Sequence, residues 1–118
     1  MPGVIRLQRG RGVRRRPGSM NGLEKEYDQH LWERKLLGEV AEYHFDAIKF
    51  RLAEKCFYEP DFLVMLSNGD IEIHEVKGFW EDDARVKIKV AAEKYPFTFI
   101  AVTKKPKKEG GGWEKEEF

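Results

Sequence analysis

The sequence predicts an α/β domain, a central mixed β-sheet flanked by helices, within 118 residues. Three observations carry this reading. Apolar residues recur at spacing four in residues 22–37, and a second helical stripe follows Asp82. Between and beyond them lie short runs rich in aromatic and β-branched residues, separated by turn signals. The order helix, strands, helix, strand suits a sheet with helices packed on it, in α/β or α+β form. The length allows one domain with one hydrophobic core.

Asn21 is placed to cap the first helix, with Glu24 as its capping-box partner three residues on. Leu23, Tyr27 and Leu31 form that helix's apolar stripe, and Gly38 stops it. Val40–Phe45 and Ile48–Leu52 read as strands, with Phe57–Tyr58 extending a further one. Phe62–Leu66 is a continuous apolar run, as expected for a strand buried on both faces. Ser67-Asn68-Gly69-Asp70 is a turn, after which Ile71–Lys77 alternates: Ile71, Ile73, Glu75 and Lys77 share one face, and Glu72, His74 and Val76 the other. Asp82 and Asp83 favour a helix start, Ala84, Ile88, Ala91, Ala92 and Tyr95 form an amphipathic face, and Pro96 closes the helix. Phe97–Thr103 is a last buried strand. The folded domain is thus expected over residues 21–103, between a flexible basic arm (1–20) and a mobile charged tail (104–118).

The composition is 36% charged, against about 25% in average domains. The net charge of +1 hides an asymmetry, because residues 1–19 carry +6 and the remainder −5. Arg11, Arg14, Arg15 and Arg16 lie in this Gly- and Pro-punctuated arm, which reads as a phosphate-gripping extension. The alternatives are a solubilising tail or an upstream extension before a start at Met20. No apolar run approaches the roughly 18 residues of a membrane helix, so no membrane partner is expected. The single cysteine, Cys56, suits a reducing, cytoplasmic setting and a small buried apolar role.

The residues that point to chemistry are Asp61, Glu75 and Lys77. Glu75 and Lys77 are two apart on one strand and project from the same face. Asp61 opens the partner strand, and the turn decides whether it joins them. A two-residue Asn68-Gly69 turn would pair Phe62 with Glu75 and send Asp61 to the opposite face. A three-residue Ser67-Asn68-Gly69 loop with left-handed Gly69 pairs Leu66 with Asp70 and Asp61 with Glu75, and this arrangement is predicted. Two carboxylates so close repel unless a cation lies between them. Mg²⁺ or Mn²⁺, held by hard oxygen ligands, can activate water and stabilise an in-line displacement at phosphate. A lysine beside it can orient the water or stabilise the developing charge. The alternative is a surface Glu–Lys ladder with Asp61 merely starting a strand.

Four segments add a resemblance: Leu23-Glu24-Lys25, Tyr58-Glu59-Pro60-Asp61-Phe62-Leu63, Asn68-Gly69, and Lys77-Gly78-Phe79-Trp80-Glu81-Asp82-Asp83-Ala84-Arg85-Val86-Lys87. Together they resemble the phage endonuclease I family over about residues 21–103. The resemblance implies the PD-(D/E)xK (restriction-endonuclease-like) fold and Holliday-junction resolution, hence Mg²⁺-dependent cleavage of branched DNA. It places the family's site on Glu24, Asp61, Glu75 and Lys77, with Asp61, Glu75 and Glu24 as metal ligands. It further implies a homodimer with exchanged elements, in which the Glu24 of one subunit completes its partner's site. The chain departs from the family by stopping soon after the last strand. A nicking or end-processing phage nuclease without junction specificity, and a non-catalytic nucleic-acid-binding module, are the alternatives.

Several further residues are candidate DNA contacts. Trp80 either stacks on a base or packs under the second helix. Arg85 and Lys87 near that helix's start face phosphates or merely solvent. Lys104 and Lys105, with Lys107 and Lys108, form a second basic cluster suited to nonspecific DNA contact. Glu24 has a competing role as the capping carboxylate. His30, His44 and His74 lack metal-ligand spacing, and His74 reads as a packed or solvent-facing histidine opposite Glu75.

Overall fold

The structure, a computed structural model, describes residues 5–7, 20–80 and 82–118. Within the described residues, eight strands and two α-helices run in the order β1 (Ile5–Leu7), α1 (Gly22–Leu36), β2 (Val40–Phe45), β3 (Ile48–Ala53), β4 (Cys56–Tyr58), β5 (Phe62–Leu66), β6 (Ile71–Lys77), α2 (Asp82–Lys94), β7 (Thr98–Lys104), a 3₁₀ turn (Lys107–Glu109) and β8 (Trp113–Glu117). The fold is α/β. A mixed five-stranded sheet has the order β2-β5-β6-β7-β8, and a three-stranded sheet the order β1-β3-β4. Among the described residues only β6 and β7 pair in parallel, and α2 makes their crossover. Among the described residues no helix is long and apolar enough to cross a membrane.

Two cores sandwich the large sheet. On one face α1 buries Tyr27 and Leu31 against Val40, Phe62, Val64, Val76, Ile100 and Val102. On the other, α2 (Ile88, Ala91, Tyr95) and the small sheet (Ile48, Phe50, Leu52, Tyr58) enclose Ile73 and Phe99. Period-two alternation along β6 and β7 thus feeds opposite cores. The strand β5 departs from the reading as buried on both faces. Phe62 and Val64 are fully covered by the α1 side, whereas Met65 is 38% exposed. On the other face Leu63 packs against the core, but cover does not extend along the strand to Met65.

The first helix starts as its sequence implies. Asn21 Oδ1 accepts the Glu24 N–H at 2.8 Å, and Glu24 Oε1 accepts the Asn21 N–H at 3.0 Å. It ends where Gly38 takes φ +83°, beyond reach of most L-residues, so that the Gly38 and Glu39 N–H groups cap the Lys35 and Arg34 carbonyls. Gly38→Ala is therefore expected to lower stability by about 1 kcal/mol, read from the urea midpoint at unchanged slope.

Both ends of the chain correct the sequence reading. Residues 5–7, assigned to a flexible arm, form β1, paired antiparallel with β3 from Ile5↔Phe50 to Leu7↔Ile48. Arg11, Arg14, Arg15 and Arg16 lie outside the described residues. The mobile tail expected after Lys104 is instead built into the sheet. Gly110, Gly111 and Gly112 all adopt positive φ and reverse the chain, and β8 then pairs antiparallel with β7 from Lys104↔Trp113 to Ile100↔Glu117. Trp113 packs at the edge of the α1 core and Phe118 at the edge of the α2 core. The charged run between them suits an exposed edge strand that resists further pairing.

Candidate active site

The β5–β6 hairpin has the register that puts Asp61 beside Glu75. Phe62 pairs with His74, Val64 with Glu72 and Met65 with Ile71. The same register sets Leu66 opposite Asp70, where the Leu66 N–H donates to the Asp70 carbonyl at 2.8 Å across a loop with Gly69 at φ +95°. It also sets Asp61 opposite Glu75. The pair is stitched both ways: the Val76 N–H donates to Asp61 Oδ2 at 2.8 Å, and the Asp61 N–H donates to the Glu75 carboxylate. Pro60 is fully buried before Asp61, and the Asp46 N–H at the end of β2 holds the Asp61 carbonyl at 2.8 Å.

Glu24 arrives from the other side of the sheet. The first turn of α1 lies beside the end of β6, where the Leu23 side chain would stand 3.8 Å from a Cβ on Gly78. Glu24, Asp61, Glu75 and Lys77 thereby line one open cavity of about 300 Å³, with Asn21, Gly78 and Phe79 at its rim. Glu24 does so within its own chain, while also capping α1 and sharing a hydrogen bond with Asp61. Capping and site membership, which compete in the sequence, coexist in one side chain.

The electrostatics are those of crowded acids. Burial, then the nearby Glu75, then Glu24 push the Asp61 carboxyl up from the usual range to about 8, against the opposing Val76 N–H. The Glu75 carboxyl is also raised by burial, and is held down in part by Lys77, whose Nζ lies 3.2 Å from Oε2. Tyr58 was missed by sequence reasoning as a site residue. Its hydroxyl donates to Glu75 Oε1 at 2.9 Å from a buried position on β4. The available signal was its place three residues before Asp61. Burial and the adjacent Glu75 hold its phenol well above the usual range, so it remains a donor. A second cavity of about 320 Å³ opens on the other side of Glu75 and Lys77, walled by Tyr58, Phe57 and Lys87.

The chemistry of this donor set fits a divalent cation. Its oxygens are hard, and a cation among them would favour the ionised Asp61 carboxyl against the burial and the neighbouring acids that raise it. Among the described residues no three acidic, histidine or cysteine side chains are grouped so as to hold a metal ion. Mg²⁺ keeps several of its own waters and binds through one or two carboxylates, so it does not require three.

The other candidates are engaged elsewhere or lie at the margin of this centre, where the Lys77 ammonium stands 5.8 Å from the Trp80 ring centroid. Trp80 packs: Phe118 meets it edge-on at 5.9 Å between centroids, and the Arg85 guanidinium covers it at 4.7 Å. Arg85 also forms a two-pronged ion pair with Glu116 on β8. Lys104 is paired with Glu26 on α1. Lys105 follows it into the turn, where its N–H donates to the Gly112 carbonyl. Of the basic candidates on the described residues, Lys87 alone lines a cavity with Glu75 and Lys77.

His74 is structural in this arrangement. It is completely buried, with the Tyr27 hydroxyl 2.6 Å from Nδ1 and Glu72 Oε1 2.8 Å from Nε2. A neutral ring with its proton on Nε2 satisfies both partners. Burial lowers the His74 pKa despite Glu72, so the unfolded chain takes up the proton first as pH falls. Its contribution to stability is full above about pH 6.5 and is lost below it. The fall in urea midpoint between pH 7 and 5 should therefore be smaller in His74→Gln than in the native chain.

Comparison with protein-family models, curated proteins and solved structures found no significant match.

Proposed function

We propose that this chain is a metal-dependent DNA endonuclease of the PD-(D/E)xK type that hydrolyses phosphodiester bonds, with branched DNA as its substrate. The observation that carries the reading is the convergence of Glu24 from α1 with Asp61, Glu75 and Lys77 from the β5–β6 hairpin on one solvent-open cavity. The element order helix, antiparallel strands, helix, parallel strand, with the acids on the central hairpin, agrees with that fold. The sequence resemblance supports the same assignment and supplies the branched substrate.

In this reading Asp61 and Glu75 hold Mg²⁺ or Mn²⁺, and Glu24 assists from α1. The bound ion would supply Lewis-acid charge at the phosphate and a more acidic water. Tyr58 fixes one Glu75 oxygen, leaving the other to Lys77. Lys77, partly exposed at the cavity, orients the attacking water and neutralises charge that builds on the phosphoryl oxygens. Lys87, across the neighbouring cavity, contacts the flanking phosphate of the strand. The Arg-rich arm adds sequence-independent affinity, which should weaken steeply with salt. Two copies related by a two-fold axis would place two sites for paired cuts.

Cleavage of a labelled four-way junction and of a linear duplex with the same arms, in Mg²⁺, tests this beside Glu75→Ala. Paired cuts near the branch point that vanish in the variant are expected. Equal attack on both DNAs, lost in the variant, would keep the nuclease and remove the branch preference. Binding without cleavage would leave a DNA-binding module.

A further inference from the structure

We infer that Phe79 is the specificity-determining residue of this site, stacking on an unpaired or unstacked base next to the phosphate that is cut. The inference rests on the nuclease reading above. Two adjacent aromatics follow the catalytic strand, and the structure treats them in opposite ways. Trp80 is enclosed by Arg85 and Phe118, whereas Phe79 stands 75% exposed, the most exposed aromatic ring of the described residues. Leaving a phenyl ring in water forgoes the stabilisation its burial would bring, and a solvent-facing loop gives no packing reason for it.

Its position supplies the occupant. Phe79 lines the same cavity as Glu24, Asp61, Glu75 and Lys77, two residues beyond Lys77. A phosphate seated over the carboxylates carries its base one sugar away, which brings that base to the rim where Phe79 stands. Besides Phe79 the cavity lining is polar or backbone except for Val76, which is only 7% exposed, so the ring is the accessible flat π-surface a nucleotide would meet there. Inside an intact duplex both faces of a base are covered by its neighbours. A ring at the cut site therefore gains a partner only where stacking is interrupted, at a nick, a flap, a strand end or a branch. Phe79 thus converts the local openness of the DNA into a preference, without reading sequence.

The test uses the full chain with two DNAs of the same sequence, one an intact duplex and one with a single unpaired nucleotide at the cut position, in Mg²⁺. In parallel, the fluorescent base 2-aminopurine at the unpaired position reports stacking during binding in Ca²⁺. Phe79→Ala should lower the ratio of kcat/KM on the unpaired substrate to that on the intact duplex about tenfold, and abolish the 2-aminopurine quench. Phe79→Trp should retain both, and Phe79→Leu, apolar but unable to stack, should behave as alanine. Undiminished preference and quench in Phe79→Ala would overturn the inference while the nuclease stands. Leucine behaving as phenylalanine would overturn it too, by reducing the ring to a greasy contact. A loss in Phe79→Ala traced by sedimentation to a changed oligomeric state would instead assign the ring to a contact between copies. Absence of cleavage of either DNA by the native chain would overturn the nuclease reading together with this one.

Discussion

Asp61→Asn should inactivate the protein and stabilise it at once. DNA cleavage in Mg²⁺ is expected to fall by about 10³-fold or more, because the amide neither carries charge nor binds the cation comparably. In the absence of divalent ions the same change should raise stability at pH 7–8 by about 1–3 kcal/mol, discounted for a cavity open to water. The sign follows from the raised carboxyl. The Asp61 carboxyl is pushed up to about 8 in the folded chain, against the ordinary aspartate value of about 3.9, so the folded state binds the proton more tightly. Its contribution to stability is full below about pH 4 and is lost as pH rises toward 8. Asparagine keeps the acceptor for the Val76 N–H and removes the charge that Glu75 and Glu24 oppose. Urea unfolding of both proteins at pH 5 and 8, without and with Mg²⁺, reads this directly. The gap between them should widen with pH and close when Mg²⁺ is added. A variant less stable than the native chain at pH 8 would mean that Asp61 is a structural residue rather than a ligand held in a crowded site.

Lys77→Met is expected to lower kcat by about 10²–10³-fold with little change in DNA affinity, since the charge acts on the phosphate mainly as the transition state forms. A second effect separates this from general damage. The Lys77 ammonium, 3.2 Å from Glu75, is the largest of the influences holding that buried carboxyl down. Without it Glu75 ionises at higher pH, so the residual activity should rise with pH over a higher range than in the native enzyme. A single-turnover pH profile checks both. An unshifted profile with unchanged kcat would reduce Lys77 to a strand-surface cation.

The central hairpin was legible because its physics is local. Of the two loops open to Ser67-Asn68-Gly69, the three-residue one closed by left-handed Gly69 forms, and it sets the parity that carries Asp61 to Glu75. Asn21 and Glu24 likewise declared the start of α1 by a reciprocal bond within one turn. What the sequence concealed depends on distant partners. The Glu114–Glu117 stretch has poor strand propensity, and only its pairing with β7, with Trp113 and Phe118 anchored at either end, makes it a strand. The apolar residues that flank it were the one clue. Trp80 was the aromatic the sequence offered for stacking, but Phe118 returns from the chain end to cover it and Phe79 is the ring left open. The role of Tyr58 depends on β4 folding over β6, which no local pattern specifies.

Incubation of the native chain with labelled DNA in EDTA, Ca²⁺, Mg²⁺ and Mn²⁺ tests the central claim most directly. Cleavage in Mg²⁺ and Mn²⁺ and in neither of the others is the expected result. Cleavage that persists in EDTA, or DNA binding with no cleavage in any ion, would contradict it.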